Sequence, residues 1–167
     1  MTYTRFEDLP VWHEAIHLAE NVYKLTEHPA FSRQRSLQDQ LERAAVSVSN
    51  NIAEGFERGT TQELLTFLYI ARGSAGEVRS MLCLLRRISR FEHLRSEISD
   101  LKLIAESCSR QLRPWAADLQ ESPIEGQRRL TEAAKSRSDQ QRRAEEFTRR
   151  LKANFKPVPF PNPPKQI

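Results

Sequence analysis

The chain has 167 residues, enough for one domain with a sizeable core and too few for two of ordinary size. Only 5 glycines and 8% aromatic residues, with Leu, Ala, Glu, Gln and Arg plentiful, favour helix. The formal charge of +4 hides a division: residues 1–121 carry 15 basic and 17 acidic side chains, and residues 122–167 carry 11 and 5, leaving −2 and +6. No run approaches the roughly 18 apolar residues of a membrane helix, and Met1-Thr2-Tyr3-Thr4-Arg5 lacks the order of a signal peptide. The expectation is a cytoplasmic chain with no membrane contact.

The first helix, about residues 9–26, is expected to open at Asp8, whose carboxylate can cap free amides, with Pro10 in the first turn. Leu9, Trp12, Ile16, Ala19 and Tyr23 recur at spacings of three and four and mark its apolar stripe. Pro29 ends the run in a loop from Thr26 to Ser32.

A second helix over about 35–57 buries Leu37, Leu41, Ala44 or Ala45, Val48 and Ile52, and Gly55 or Gly59 is its expected stop. Thr60-Thr61-Gln62-Glu63 then has the form of a capping box, which starts a third helix over about 61–89. Leu64, Leu68, Ala71, Ala75, Val78, Leu82 and Leu85 give that helix a period of about 3.5, suited to knobs-into-holes packing. Gly73 and Gly76 each weaken a helix by about 1 kcal/mol relative to Ala, so close approach of another backbone is the expected compensation.

A fourth helix over about 93–119 repeats the register with Leu94, Ile98, Leu101, Ala105, Cys108, Leu112, Trp115 and Leu119. Pro114 is expected to bend it near Arg110 or end it early. Cys83 and Cys108 fall among these apolar positions and read as reduced core thiols. Residues 1–121 thus read as an all-α, antiparallel, up-down four-helix bundle.

Ser122-Pro123-Ile124-Glu125 opens a basic, helical extension over 122–155, followed by a Pro-rich tail over 156–167 of extended conformation or disorder. The apolar stripe of the extension, Ala144, Phe147, Leu151 and Phe155, is too thin to hold it alone, so it is either partly disordered or ordered by a partner. Arg128, Arg129, Arg142, Arg143, Arg149, Arg150 and Lys152 form its candidate nucleic-acid surface, making phosphate contacts that position a partner without reading its sequence.

Two motifs invite chemistry. His13-Glu14-Ala15-Ile16-His17 is a literal H-E-x-x-H, which on a helix sets two imidazoles one turn apart beside a possible general base. A zinc enzyme also needs a third ligand and a cleft. His28 and His93 lie singly in expected loops, so the favoured reading has no catalytic residue, metal or cofactor and leaves two half-exposed helical histidines.

The other motif places Arg43, Ser47, Asn50 and Glu54 on one face of the second helix, with Asn51 beside them. It reads as a polar layer in which Glu54 meets Arg43, Arg58 or Arg72 near Ser74, or else as a ligand or nucleic-acid surface; the layer is favoured.

Phe6-Glu7-Asp8-Leu9-Pro10-Val11-Trp12 with Ala15, Gln40 to Ser47, Asn50 to Phe56 with Arg58, and Phe67 to Ser74 with Glu77 carry a family resemblance. Over about residues 5–119 the chain resembles the bacterial four-helix-bundle proteins encoded in intervening sequences of 23S rRNA genes. The resemblance implies a homo-oligomeric ring, with a pentamer favoured, and nucleic acid, RNA or DNA, as a candidate partner. The accessory variability proteins of diversity-generating retroelements are similar in architecture and imply a nucleoprotein accessory role. The competing expectation is a protein-interaction module that uses the C-terminal helix and Pro-rich tail.

Overall fold

The structure, a computed structural model, describes residues 3–121 together with Arg143, Glu146, Phe147 and Arg149. The chain divides into two compact units, Met1–Arg128 and Arg129–Ile167. The described part of the first unit is all-helical: α1 (Pro10–Thr26), α2 (Arg35–Glu57), α3 (Thr61–Leu85) and α4 (Arg95–Gln120), with 3-10 turns at Phe6–Asp8, Pro29–Phe31 and Ser89–Leu94. α1 packs on α2 and α4, and α3 packs on the same two helices, so four stripes close around one core. No described helix is long and apolar enough to cross a membrane.

Every expected stripe residue of α3 is buried, as are Leu94, Ile98, Leu101, Ala105, Cys108 and Leu112 at the fourth-helix positions. Trp115 and Leu119 are only half-buried, because the seam there passes to Ala116. On α2, Leu41, Ala44, Ala45, Val48 and Ile52 are buried and Leu37 is half-buried.

In α1 the core stripe is Val11, Ala15, Leu18, Val22 and Leu25, one residue of rotation away from the expected line. Of the expected set, Leu9 and Ala19 are buried, Trp12 and Ile16 sit on the flank, and Tyr23 is exposed. Both lines have helical spacing. The aliphatic one fits the closer helix contacts, while Trp12 packs edge-on against Phe6, ring centroids 5.2 Å apart.

Helix ends differ from expectation in informative ways. α1 begins after Leu9 with no side-chain cap, and Asp8 belongs instead to the preceding 3-10 turn. Pro10 occupies the first turn, where its missing N–H leaves no hydrogen bond unmade. At α3 the Thr60 hydroxyl accepts from the Glu63 amide at 3.2 Å and donates to the Glu63 carboxylate at 2.8 Å. Pro114 lies inside α4, which continues to Gln120 and does not end early. Pro114 and Arg110 are both exposed, so water can serve the carbonyl that proline leaves without a donor.

Of the two expected stops, Gly59 follows the C-cap residue Arg58. Gly55 does not stop α2; it lies buried within it, where an added Cβ would stand 2.7 Å from Phe67 Cβ and 3.3 Å from the Leu64 carbonyl oxygen. Gly73 and Gly76, expected at the close approach, have nothing within 4 Å of such a Cβ. Close contact of α2 with α3 therefore depends on Gly55. Gly55→Ala is expected to lower stability by about 1–3 kcal/mol through overpacking, whereas Gly73→Ala is expected to raise it by about 0.5–1 kcal/mol. Urea unfolding of both variants checks the contrast, which reverses if the close approach lies at Gly73.

Candidate functional site

Part of the expected polar layer forms across α2 and α3. Asn51 donates from Nδ2 to the Ser47 carbonyl at 2.6 Å and to Ser47 Oγ at 2.9 Å. The Ser47 and Ser74 hydroxyls lie 2.9 Å apart, and Ser74 donates to the Ile70 carbonyl at 3.1 Å. These bonds have one consistent direction: Asn51 to Ser47, Ser47 to Ser74, Ser74 to backbone. The relay ties the half-buried edge of α2 to α3.

The rest of the set disperses. Glu54 pairs with Arg58, the C-cap residue of α2, and Arg58 also approaches Glu63 at 3.8 Å and covers the Phe67 ring at 5.1 Å. Arg43 donates to the Asp39 carbonyl of its own helix, Arg72 lies over the Tyr69 ring at 5.7 Å, and Asn50 faces solvent. Of the candidates for Glu54, Arg58 is the partner because four residues along a helix bring two side chains onto one face.

The H-E-x-x-H residues do not converge. His13 and His17 are exposed, while Glu14 is half-buried and lies close enough to α4 for its charge to act on Cys108. Among the described residues no group of three or more His, Cys, Asp or Glu side chains is placed to hold a metal ion. The cysteines also part company. Cys108 is buried, and burial first, with the Glu14 charge second, pushes its thiol up to about 12. Cys83, expected in the core, is exposed because it sits one position past the Leu82 seam residue.

Sequence reasoning missed the junction of the two connections. His28 and His93, read as isolated, meet with ring centroids 4.8 Å apart and planes inclined at 49°. Beneath them Phe31 and Phe91 meet at 4.8 Å and are among the most deeply buried side chains. His28 Nδ1 accepts from the Ala30 amide at 3.1 Å, and Arg90 Nη1 donates to the Ser32 carbonyl at 3.1 Å. The signal was present as paired Phe and His in both connections, but helical periodicity does not extend into such segments. A nearby cavity of about 380 Å³ lies between α1 and α4 and carries both signs of charge, Lys24 with Glu97 and Asp100.

Of the tail candidates, Arg143 and Arg149 are helical and exposed. Phe147, also helical, is 64% exposed. Arg128, Arg129, Arg142, Arg150 and Lys152 lie outside the described residues, as do Leu151, Phe155 and the Pro-rich segment.

The family model described as 23S rRNA-intervening sequence protein matches residues 7–114. In fold, the chain is similar to a crystal structure of a protein of unknown function from the S23 ribosomal protein family of Bacteroides thetaiotaomicron. That similarity has a TM-score of 0.55 and 19% identity, covering 64% of this chain and 97% of the other. No curated protein matches the chain.

Two outcomes follow from this geometry. A double-mutant cycle on Ser47→Ala and Ser74→Ala is expected to give a coupling of about 1 kcal/mol; zero coupling in urea unfolding would refute the relay. Titration of the native protein with a thiol reagent near pH 8 is expected to modify Cys83 alone, with Cys108 reacting only on unfolding. Two fast thiols would contradict the buried placement.

Proposed function

Because the chain belongs to the 23S rRNA-intervening sequence protein family, we propose that it is a non-enzymatic, cytoplasmic accessory protein that binds RNA or DNA through its basic C-terminal region. Its helices follow the antiparallel up-down order, and copies assemble into a homo-oligomer, a pentamer in the favoured form. The observation that carries this reading is the charge partition, −2 over residues 1–121 against +6 over residues 122–167. A basic segment on an acidic body meets phosphates with one part and repels them with the other. The exposed helical Arg143 and Arg149 support it, and so does the rRNA connection in the family's description. Exposed Tyr23, Ile70, Leu84 and Leu103 offer apolar area for subunit contacts.

Exposure of Phe147 favours a second reading, in which the C-terminal helix and Pro-rich tail dock on a protein partner. Salt separates the two. If the seven candidate cations engage phosphates, affinity for an RNA or DNA duplex is expected to fall on the order of a thousandfold between roughly 50 and 200 mM salt. Deleting residues 122–167 is then expected to remove most of the binding. Affinity insensitive to salt but lost on Phe147→Ala would replace the nucleic-acid reading, and light scattering of the same samples tests the pentamer.

A further inference from the structure

The junction of the α1–α2 and α3–α4 connections concentrates arginine. Arg33 and Arg35 lie on one side, and Arg86, Arg87, Arg90 and Arg95 on the other, all six exposed. The Phe31–Phe91 and His28–His93 contacts, with the Arg90 bond to Ser32, hold the two connections together, so the six guanidinium groups share one end of the bundle. Glu27 and Glu92 are the acids within the same connections, and Glu92 pairs with Arg95 at 3.4 Å. Arg33, Arg35, Arg86 and Arg87 have no ion-pair partner among the described residues.

Helix stabilisation accounts for only part of this cluster. Arg86 and Arg87 follow the C-terminus of α3, where a cation is favoured by the helix dipole. Arg35 and Arg95 are the first residues of α2 and α4, where the dipole opposes a cation by about 0.3–1 kcal/mol. Neither helix has a side-chain cap there; α4 has Glu97 in its first turn, but α2 has no acid in its own, so the amides at the start of α2 add to the positive field. Arg33 has φ 70°, a left-handed backbone that disfavours a side chain, yet the position holds arginine where glycine would relax it.

Apart from these six arginines and Glu27 and Glu92, residues 1–121 carry nine basic against 15 acidic side chains. A polyanion is therefore drawn to this end in preference to the rest of the bundle, whose summed charge is negative.

We infer that the arginine end of the bundle is a second nucleic-acid contact surface, independent of the C-terminal region, that engages the phosphate backbone of a duplex. Four helix ends, each about 10–12 Å across, spread these charges over roughly 20 Å, which spans several phosphates at one charge per about 1.7 Å of duplex axis. The surface fits contacts to the phosphate backbone, because like-charged guanidinium groups spread over several phosphates match a repeating row of anions. This inference rests on the nucleic-acid reading above and adds a site within the bundle.

The test uses the full-length chain and fluorescent RNA and DNA duplexes of about 20 base pairs, with anisotropy read across a salt series. One variant replaces Arg33, Arg86, Arg87 and Arg90 with Gln, a second neutralises the seven tail cations, and a third combines both. Loss of four contacts is expected to weaken binding at least tenfold and to lower the slope of log affinity against log salt by about 3–4. The tail variant is expected to keep weak, salt-dependent binding that the combined variant loses. Arg33→Gly controls for folding: it is expected to hold or raise the melting temperature while weakening binding.

A bundle-end variant with parental affinity and slope would overturn the inference while leaving the tail reading intact. A parent chain that binds neither duplex would overturn both.

Discussion

Burial of the α3 stripe is the interaction on which the rest of the first unit depends. Leu64, Leu68, Ala71, Ala75, Val78, Leu82 and Leu85 are all buried, and both α2 and α4 pack against the helix that carries them. Each fully buried leucine contributes about 1.5–3 kcal/mol, far more than any surface ion pair in the molecule. The grouping of residues along the line, leucines towards both ends and Ala71 and Ala75 in the middle, also sets spacing. Leucines fill the gaps between helices, and alanines let the neighbours approach.

That approach has a consequence for the outer faces. Where α2 comes closest, Gly55 leaves room for Phe67, and the same proximity brings Ser47 within reach of Ser74. The hydroxyl relay follows from the packing and does not cause it. Its members are satisfied within the molecule, so they offer little unmet hydrogen-bonding capacity to a ligand. The contact surfaces we propose lie instead at the bundle end, where arginine outnumbers acid, and in the basic C-terminal region.

The end of the bundle shows how core and surface are joined. Phe31 and Phe91 extend the apolar core into two connections, and this anchors polar residues on either side of them. His28 caps the 3-10 turn beside Phe31, while Arg90 crosses to the Ser32 carbonyl. A connection held in this way presents its charges in a defined arrangement, which a freely moving loop does not do.

Helix class, the number of helices in residues 1–121, the seam of the third helix and most of the seams of the second and fourth were legible in the sequence, because a heptad-like spacing admits one buried face. The Thr60 cap that starts the third helix was equally legible, since it acts within four residues, although the Glu63 carboxylate meets the Thr60 hydroxyl and not a backbone amide. The first helix was not, because two lines of apolar residues compete there and only the fit against α2 and α4 selects Val11, Ala15 and Leu18 over Trp12 and Ile16. Only the tertiary structure decided that Gly55 marks the close contact, that Cys83 faces outward, and that His28 meets His93. Each depends on residues distant in the chain, and local spacing carries no information about which surfaces the fold brings face to face.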